Sequence, residues 1–146
     1  MVSPPQFKFI ASVILTISAD TAHLEAIGDL IRKTARAAGF KENEVRALEL
    51  AVDELVSNAI VHGYRRNPAG RIALKISVIN SGIVIVLEEQ GRFFNPLKIA
   101  EPNLNAKLME RKVGGLGLYI MRKIVDVIYY QYLENKTKRF TLVKRT

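Results

Sequence analysis

The chain has no cysteine and no tryptophan, and only two histidines, His23 and His62. Without cysteine there is no disulfide framework, no thiolate metal site and no cysteine nucleophile. So few histidines argue against a histidine-rich zinc site. No apolar run reaches the ~18–20 residues needed to span a bilayer. The opening MVSPPQFKFIASVILTIS has no basic stretch ahead of its apolar run and carries two early prolines, so it does not read as a signal peptide. A cytoplasmic protein without a membrane partner is expected. Internal repeats, low-complexity tracts and a dividing linker are also missing. The 146 residues, 49% apolar and 25% charged, suffice for one core, and a single domain over 1–146 is expected.

Acidic residues are scarce in one region. The net charge is +8, yet residues 1–106 hold 12 Lys/Arg against 11 Asp/Glu, and residues 107–146 hold 10 against 3. That basic excess suits nucleic acid, polyphosphate, an acidic protein or simply water. No recognition-helix pattern supports direct nucleic-acid binding.

Residues 7–17, rich in β-branched and aromatic types, predict a strand. Asp20 or Thr21 is a candidate N-cap for a helix over 21–38, with Leu24, Ile27, Leu30 and Ile31 at helical spacing. A second helix is expected over 42–62, burying Val45, Leu48, Val52, Leu55, Val56 and Ala59. Strands at 71–79 and 83–89 flank a hairpin signal, Asn80-Ser81-Gly82. A long segment over 91–113, broken by Pro96 and Pro102, separates them from a third helix over 114–126 and strands at 127–134 and 138–144. Loops of that length in compact domains are usually functional. This order predicts an α+β two-layer sandwich: a mixed, largely antiparallel sheet with helices on one face.

Three constellations could carry chemistry. Glu54, Asn58 and His62 recur every four residues and so share a face of the second helix. A carboxylate with an amide suits a hydrated Mg²⁺ ion, which keeps waters and phosphates around few protein oxygens. Read alone, the trio is more simply a polar helix face hydrogen-bonded to water. Glu88-Glu89-Gln90-Gly91 ends an apolar strand, where a carboxylate can accept from an exocyclic amine and glycine lets a flat ring approach. Read alone, it is a strand end with a turn glycine. Gly114-Gly115-Leu116-Gly117-Leu118 opens a helix, where free amides attract phosphate oxygens. The run lacks the P-loop pattern and does not follow a strand as a dinucleotide fingerprint does.

In this order the motifs resemble those of the GHKL ATPases, the superfamily of gyrase, heat-shock chaperone, histidine-kinase and mismatch-repair ATPase domains. LAVDELVSNAIVHGY (50–64) is similar to its N-box, EEQGRFFNP (88–96) to its first glycine box and GGLGLYIMRKIVD (114–126) to its second. The short lid and the last motif most resemble the anti-sigma-factor serine kinases. The resemblance implies the Bergerat ATP-binding fold, with ATP and Mg²⁺ as cofactors. It makes Glu54 the catalytic acid that orients or deprotonates the attacking hydroxyl and Asn58 the Mg²⁺ ligand. It puts His62 beside the nucleotide, Glu89 on the adenine amine and Gly91 beneath the ring. Gly115, Leu116, Gly117 and Leu118 would meet the phosphates. Lys107, Arg111 and Lys112, just before the glycines at the end of the lid, are placed by the sequence itself to close over the phosphates. Two departures stand out: Glu89 falls where the family usually has Asp, and Val113-Gly114 falls where the subfamily often has Arg.

The function so implied is an anti-sigma factor and protein-serine kinase acting on an anti-sigma-factor antagonist, as a homodimer. The alternative is a non-catalytic binding module that holds a regulator. A histidine-kinase half would need a separate partner carrying the acceptor histidine. Gyrase-like or chaperone-like chemistry would need further domains.

Overall fold

The computed structural model describes residues 9–92 and 116–146. Five strands form one sheet: β1 (Phe9–Ser18), β2 (Arg71–Ile79), β3 (Gly82–Glu89), β4 (Val127–Tyr132) and β5 (Lys138–Arg145). Their spatial order is β1-β2-β3-β5-β4, and each of the four pairings is antiparallel. Three helices, α1 (Leu24–Ala37), α2 (Glu42–Asn58) and α3 (Leu116–Ile124), complete the α+β fold.

The core follows from the two periodicities. Alternate residues of the strands, among them Ile72, Leu74, Ile76, Ile83, Ile85 and Leu142, point to the helical side and are buried. The helices answer with Ile27 and Ile31 of α1, Leu48, Val52 and Val56 of α2, and Met121 of α3. A smaller cluster, Ile79, Val84 and Val143, lies on the other face of the sheet. Glycine is required at the β2–β3 hairpin. Gly82 sits at φ +153°, and a Cβ there would lie 2.0 Å from the Lys144 carbonyl oxygen.

Two helix boundaries differ from expectation. Asp20 does cap, accepting from the Ala22 amide at 2.9 Å, but the first turn, Thr21–His23, is 3₁₀ before α1 begins. The second helix is α-helical only to Asn58, and Ala59–Gly63 form a π turn in which Tyr64 N donates to Ala59 O at 2.9 Å. The wider turn takes in an extra residue, as is frequent at functional sites. It sets Gly63 under the chain leaving β3, where Arg92 N donates to Gly63 O at 2.7 Å.

Candidate functional site

The site lies where the end of α2 meets the end of β3. A hydrophobic stripe pins α2 to the sheet, and Glu54 and Asn58 project from the margin of that stripe. Asn58 is buried at 5% exposure, and Glu54 is half-buried. Among the described residues, three buried side-chain atoms make no hydrogen bond: Glu54 Oε1, Asn58 Nδ2 and Gln131 Oε1. Two of them stand one turn apart on α2. Each such atom costs about 1–3 kcal/mol while it stays unpaired. Burial, with repulsion from Asp53, pushes the Glu54 carboxyl up to about 7. Burial, with Glu49 nearby, also raises Asp53.

His62 parts company with them. The π turn carries it off the face an unbroken helix would have given it, and it is exposed. Its carbonyl oxygen accepts from Arg92 Nε at 2.8 Å.

Tyr64 and two glycines lock β3 to the helix end. The Tyr64 hydroxyl donates to Arg71 O at 2.5 Å and accepts from Gln90 N at 2.8 Å. A Cβ on Gly91 would lie 2.5 Å from the Gly63 carbonyl carbon. Here the backbone must run close to backbone, and no side chain fits between.

Glu89 ends β3 pointing inward, beneath this junction, at 5% exposure. Its Oε2 accepts from Gly91 N at 2.7 Å, and its Oε1 pairs with Lys138 Nζ at 3.0 Å. Lys138 Nζ also donates to the carbonyl oxygens of Gly91 and, at 3.0 Å, Arg92. Burial pushes the Glu89 carboxyl upward, opposed by Lys138 and the Gly91 amide. Burial and the same carboxylate raise the Tyr130 phenol to about 12. Leu55 of α2, Ala59 of the π turn, Leu87 of β3 and Tyr130 and Phe140 of the β4–β5 hairpin surround the pair. The remaining cavity, ≈ 20 Å³, has room for one water molecule.

The two ends of the site fit a magnesium nucleotide differently. At the α2 end, a carboxyl and a carboxamide, each with one unused polar atom, suit a hydrated cation and phosphate oxygens. At the β3 end, the apolar walls and carboxylate suit a base, but the Lys138 side chain takes up the room for one. Leu116, Gly117 and Leu118 form the start of α3, which packs on α2 through buried Met121. Lys107, Arg111, Lys112 and Gly115, with the expected lid, lie outside the described residues.

Sequence reasoning passed over Lys138 and Tyr64. Lys138 had a signal: with Phe140 and Leu142 it forms the inward stripe of β5, all three buried. A lysine on such a stripe needs a partner, and the register puts Glu89 directly opposite.

Comparison with known proteins agrees with this architecture. Residues 17–144 match the histidine kinase-like ATPase domain. The chain is 25% identical over 136 residues to the serine-protein kinase RsbW of Bacillus licheniformis, covering 90% of this chain and 76% of the relative. It is 26% identical over 102 residues to an anti-sigma F factor of Clostridium kluyveri, covering 70% of this chain and 71% of the relative. A crystal structure of RsbU and RsbW domains from Mycobacterium tuberculosis superposes with a TM-score of 0.64 at 15% identity, over 92% of this chain and 32% of that one. With the fold and the motif order in agreement, the chain belongs to the histidine kinase-like ATPase domain family, and its relatives include a serine-protein kinase and an anti-sigma F factor.

Proposed function

We propose that the protein is an anti-sigma factor and ATP-dependent protein-serine kinase that phosphorylates an anti-sigma-factor antagonist. One observation carries the reading: Glu54 and Asn58 hold buried, unpartnered polar atoms one turn apart on α2. Bound ATP would supply the phosphoryl group, with Mg²⁺ balancing its charge. Asn58 would hold the cation through its carboxamide. Glu54, poised near neutrality, would accept the proton of the attacking serine hydroxyl. The amides at the start of α3 would meet phosphate oxygens, together with Gly115 and the cations Lys107, Arg111 and Lys112. Glu89 and Gly91 would receive the base, with His62 at the rim.

A cytoplasmic homodimer fits the same reading. No helix among the described residues is long and apolar enough to cross a membrane. Edge strand β1 exposes Ile10 at 63%, Val13 at 43% and Ile14 at 70%. Such an edge is managed by covering it, and a second copy is our choice of cover. The basic C-terminal quarter suits acidic faces of protein partners.

The Lys138–Glu89 pair favours a second reading, a module that binds its regulator and uses nucleotide weakly or not at all. Calorimetric titration with ATP and Mg²⁺ separates the two. Wild type should bind in a Mg²⁺-dependent manner, and Asn58→Ala should lose that binding while keeping a cooperative melt. Affinity within twofold of wild type in Asn58→Ala would remove Asn58 from the site.

A further inference from the structure

The base end of the site is already filled by the protein itself. Lys138 Nζ meets Glu89 Oε1 at 3.0 Å, Arg92 O at 3.0 Å and the Gly91 carbonyl, so all three ammonium hydrogens are in use. The lysine and glutamate side chains are 3% and 4% exposed. Around them the walls are apolar and aromatic, with Leu55, Leu87, Tyr130 and Phe140 leaving room for one water. An aromatic bicycle cannot enter while the lysine stays.

What Lys138 gives Glu89 is chemically what an amine-bearing base would give, an N–H donor. We infer that Lys138 is an internal competitor for the base: its ammonium occupies the carboxylate that would read an exocyclic amine, and nucleotide must displace it. This rests on the proposed reading of Glu89 and Gly91 as the base end. Lys138 is thereby the residue that sets nucleotide affinity, and its contacts at Gly91 and Arg92 fasten the chain leaving β3 in the closed arrangement. Displacement has a physical route, because Lys138 has a long, flexible stem and lies near the C-terminal side of the β4–β5 turn, where its head can reach water. The groups facing the pair are Tyr130 from β4 and Tyr64 from the end of the helix, both phenols within the carboxylate's influence. Leu55 of α2 and Ala59 of the π turn add apolar wall to this cavity. Among the described residues, the pair is thus the charged content of the pocket.

The test compares wild type with Lys138→Thr, which clears the cavity while keeping a strand-favouring β-branched side chain. Glu89→Gln/Lys138→Thr is measured beside it. That double variant leaves no buried unpaired charge, and the glutamine carbonyl still accepts from an amine, so it guards against misfolding of the single variant. Each folded protein is titrated with Mg²⁺-ATP, with adenosine as a base-only probe, and with Mg²⁺-tripolyphosphate as a phosphate-only probe. If the closed arrangement predominates, opening it should tighten ATP and adenosine by about tenfold or more. Tripolyphosphate should bind all three alike. ATP affinity that is equal in the three proteins, or weaker in the variants, overturns the inference and leaves the nucleotide site standing. Failure of ATP and tripolyphosphate to bind any of them overturns the site itself, and the inference with it.

Discussion

Glu54 shows how one environment produces both a stability cost and a chemical opportunity. Its carboxyl titrates near 7 instead of its ordinary 4.5 because burial and Asp53 disfavour the charge. The folded protein therefore holds this proton more tightly than the unfolded chain. The contribution of this group to stability is greatest below pH about 4.5, falls as pH rises to about 7, and is flat beyond. Glu54→Gln removes the charge and keeps the shape. At pH 8 it should melt at a higher temperature than wild type, gaining ~1–3 kcal/mol, and the gain should vanish by pH 4. Denaturant melts at the two pH values check this, and equal stability at pH 8 would contradict the assigned environment. Asn58 bears the same logic in neutral form: a buried amide with an unused donor is retained at a cost that the fold alone does not recover.

At the scale of elements, the junction between the π turn and the end of β3 decides whether Asn58 and Glu89 face one site. Gly91 lies against Gly63, and Tyr64 ties Gln90 to Arg71. Gly91→Ala would drive a methyl group into the Gly63 backbone and push β3 away from α2. The expected loss is on the order of 1–3 kcal/mol, read from denaturant midpoints, with nucleotide binding weakened beyond it. An unchanged midpoint would show that the junction yields. Much of this level was legible beforehand. The inward stripes of α1, α2 and the strands follow from periods of 3.6 and 2, and the Asn80-Ser81-Gly82 signal fell on the turn. The π turn was not legible, because it differs from α by one residue and is imposed by Gly63 meeting Gly91, a contact 28 positions apart in sequence. Glu54 and Asn58 stay one turn apart because four-residue spacing survives in α2. His62 was displaced because the same spacing fails past Asn58. Lys138 was missed because charge alone placed it in a basic tail, whereas the β3–β5 register turns it inward to Glu89.

For the whole molecule, the exposed edge and the partner protein set the terms. Ile14→Lys puts a charge on the exposed edge strand, where lysine discourages strand pairing. If β1 joins two copies, sedimentation should show wild type as a dimer and Ile14→Lys as a monomer with the same melting temperature, whereas dimers of both would move the interface elsewhere. The activity proposed for the whole molecule is phosphoryl transfer onto a second protein with Glu54 as the base. Its most direct test is the rate of serine phosphorylation on the antagonist protein, with wild type and Glu54→Gln at saturating Mg²⁺-ATP and pH 8, followed by mass spectrometry. The account predicts that wild type modifies one serine and that Glu54→Gln binds ATP as well but transfers ~10²–10⁴-fold more slowly. Equal rates for the two proteins, or no phosphoserine from wild type, would contradict it.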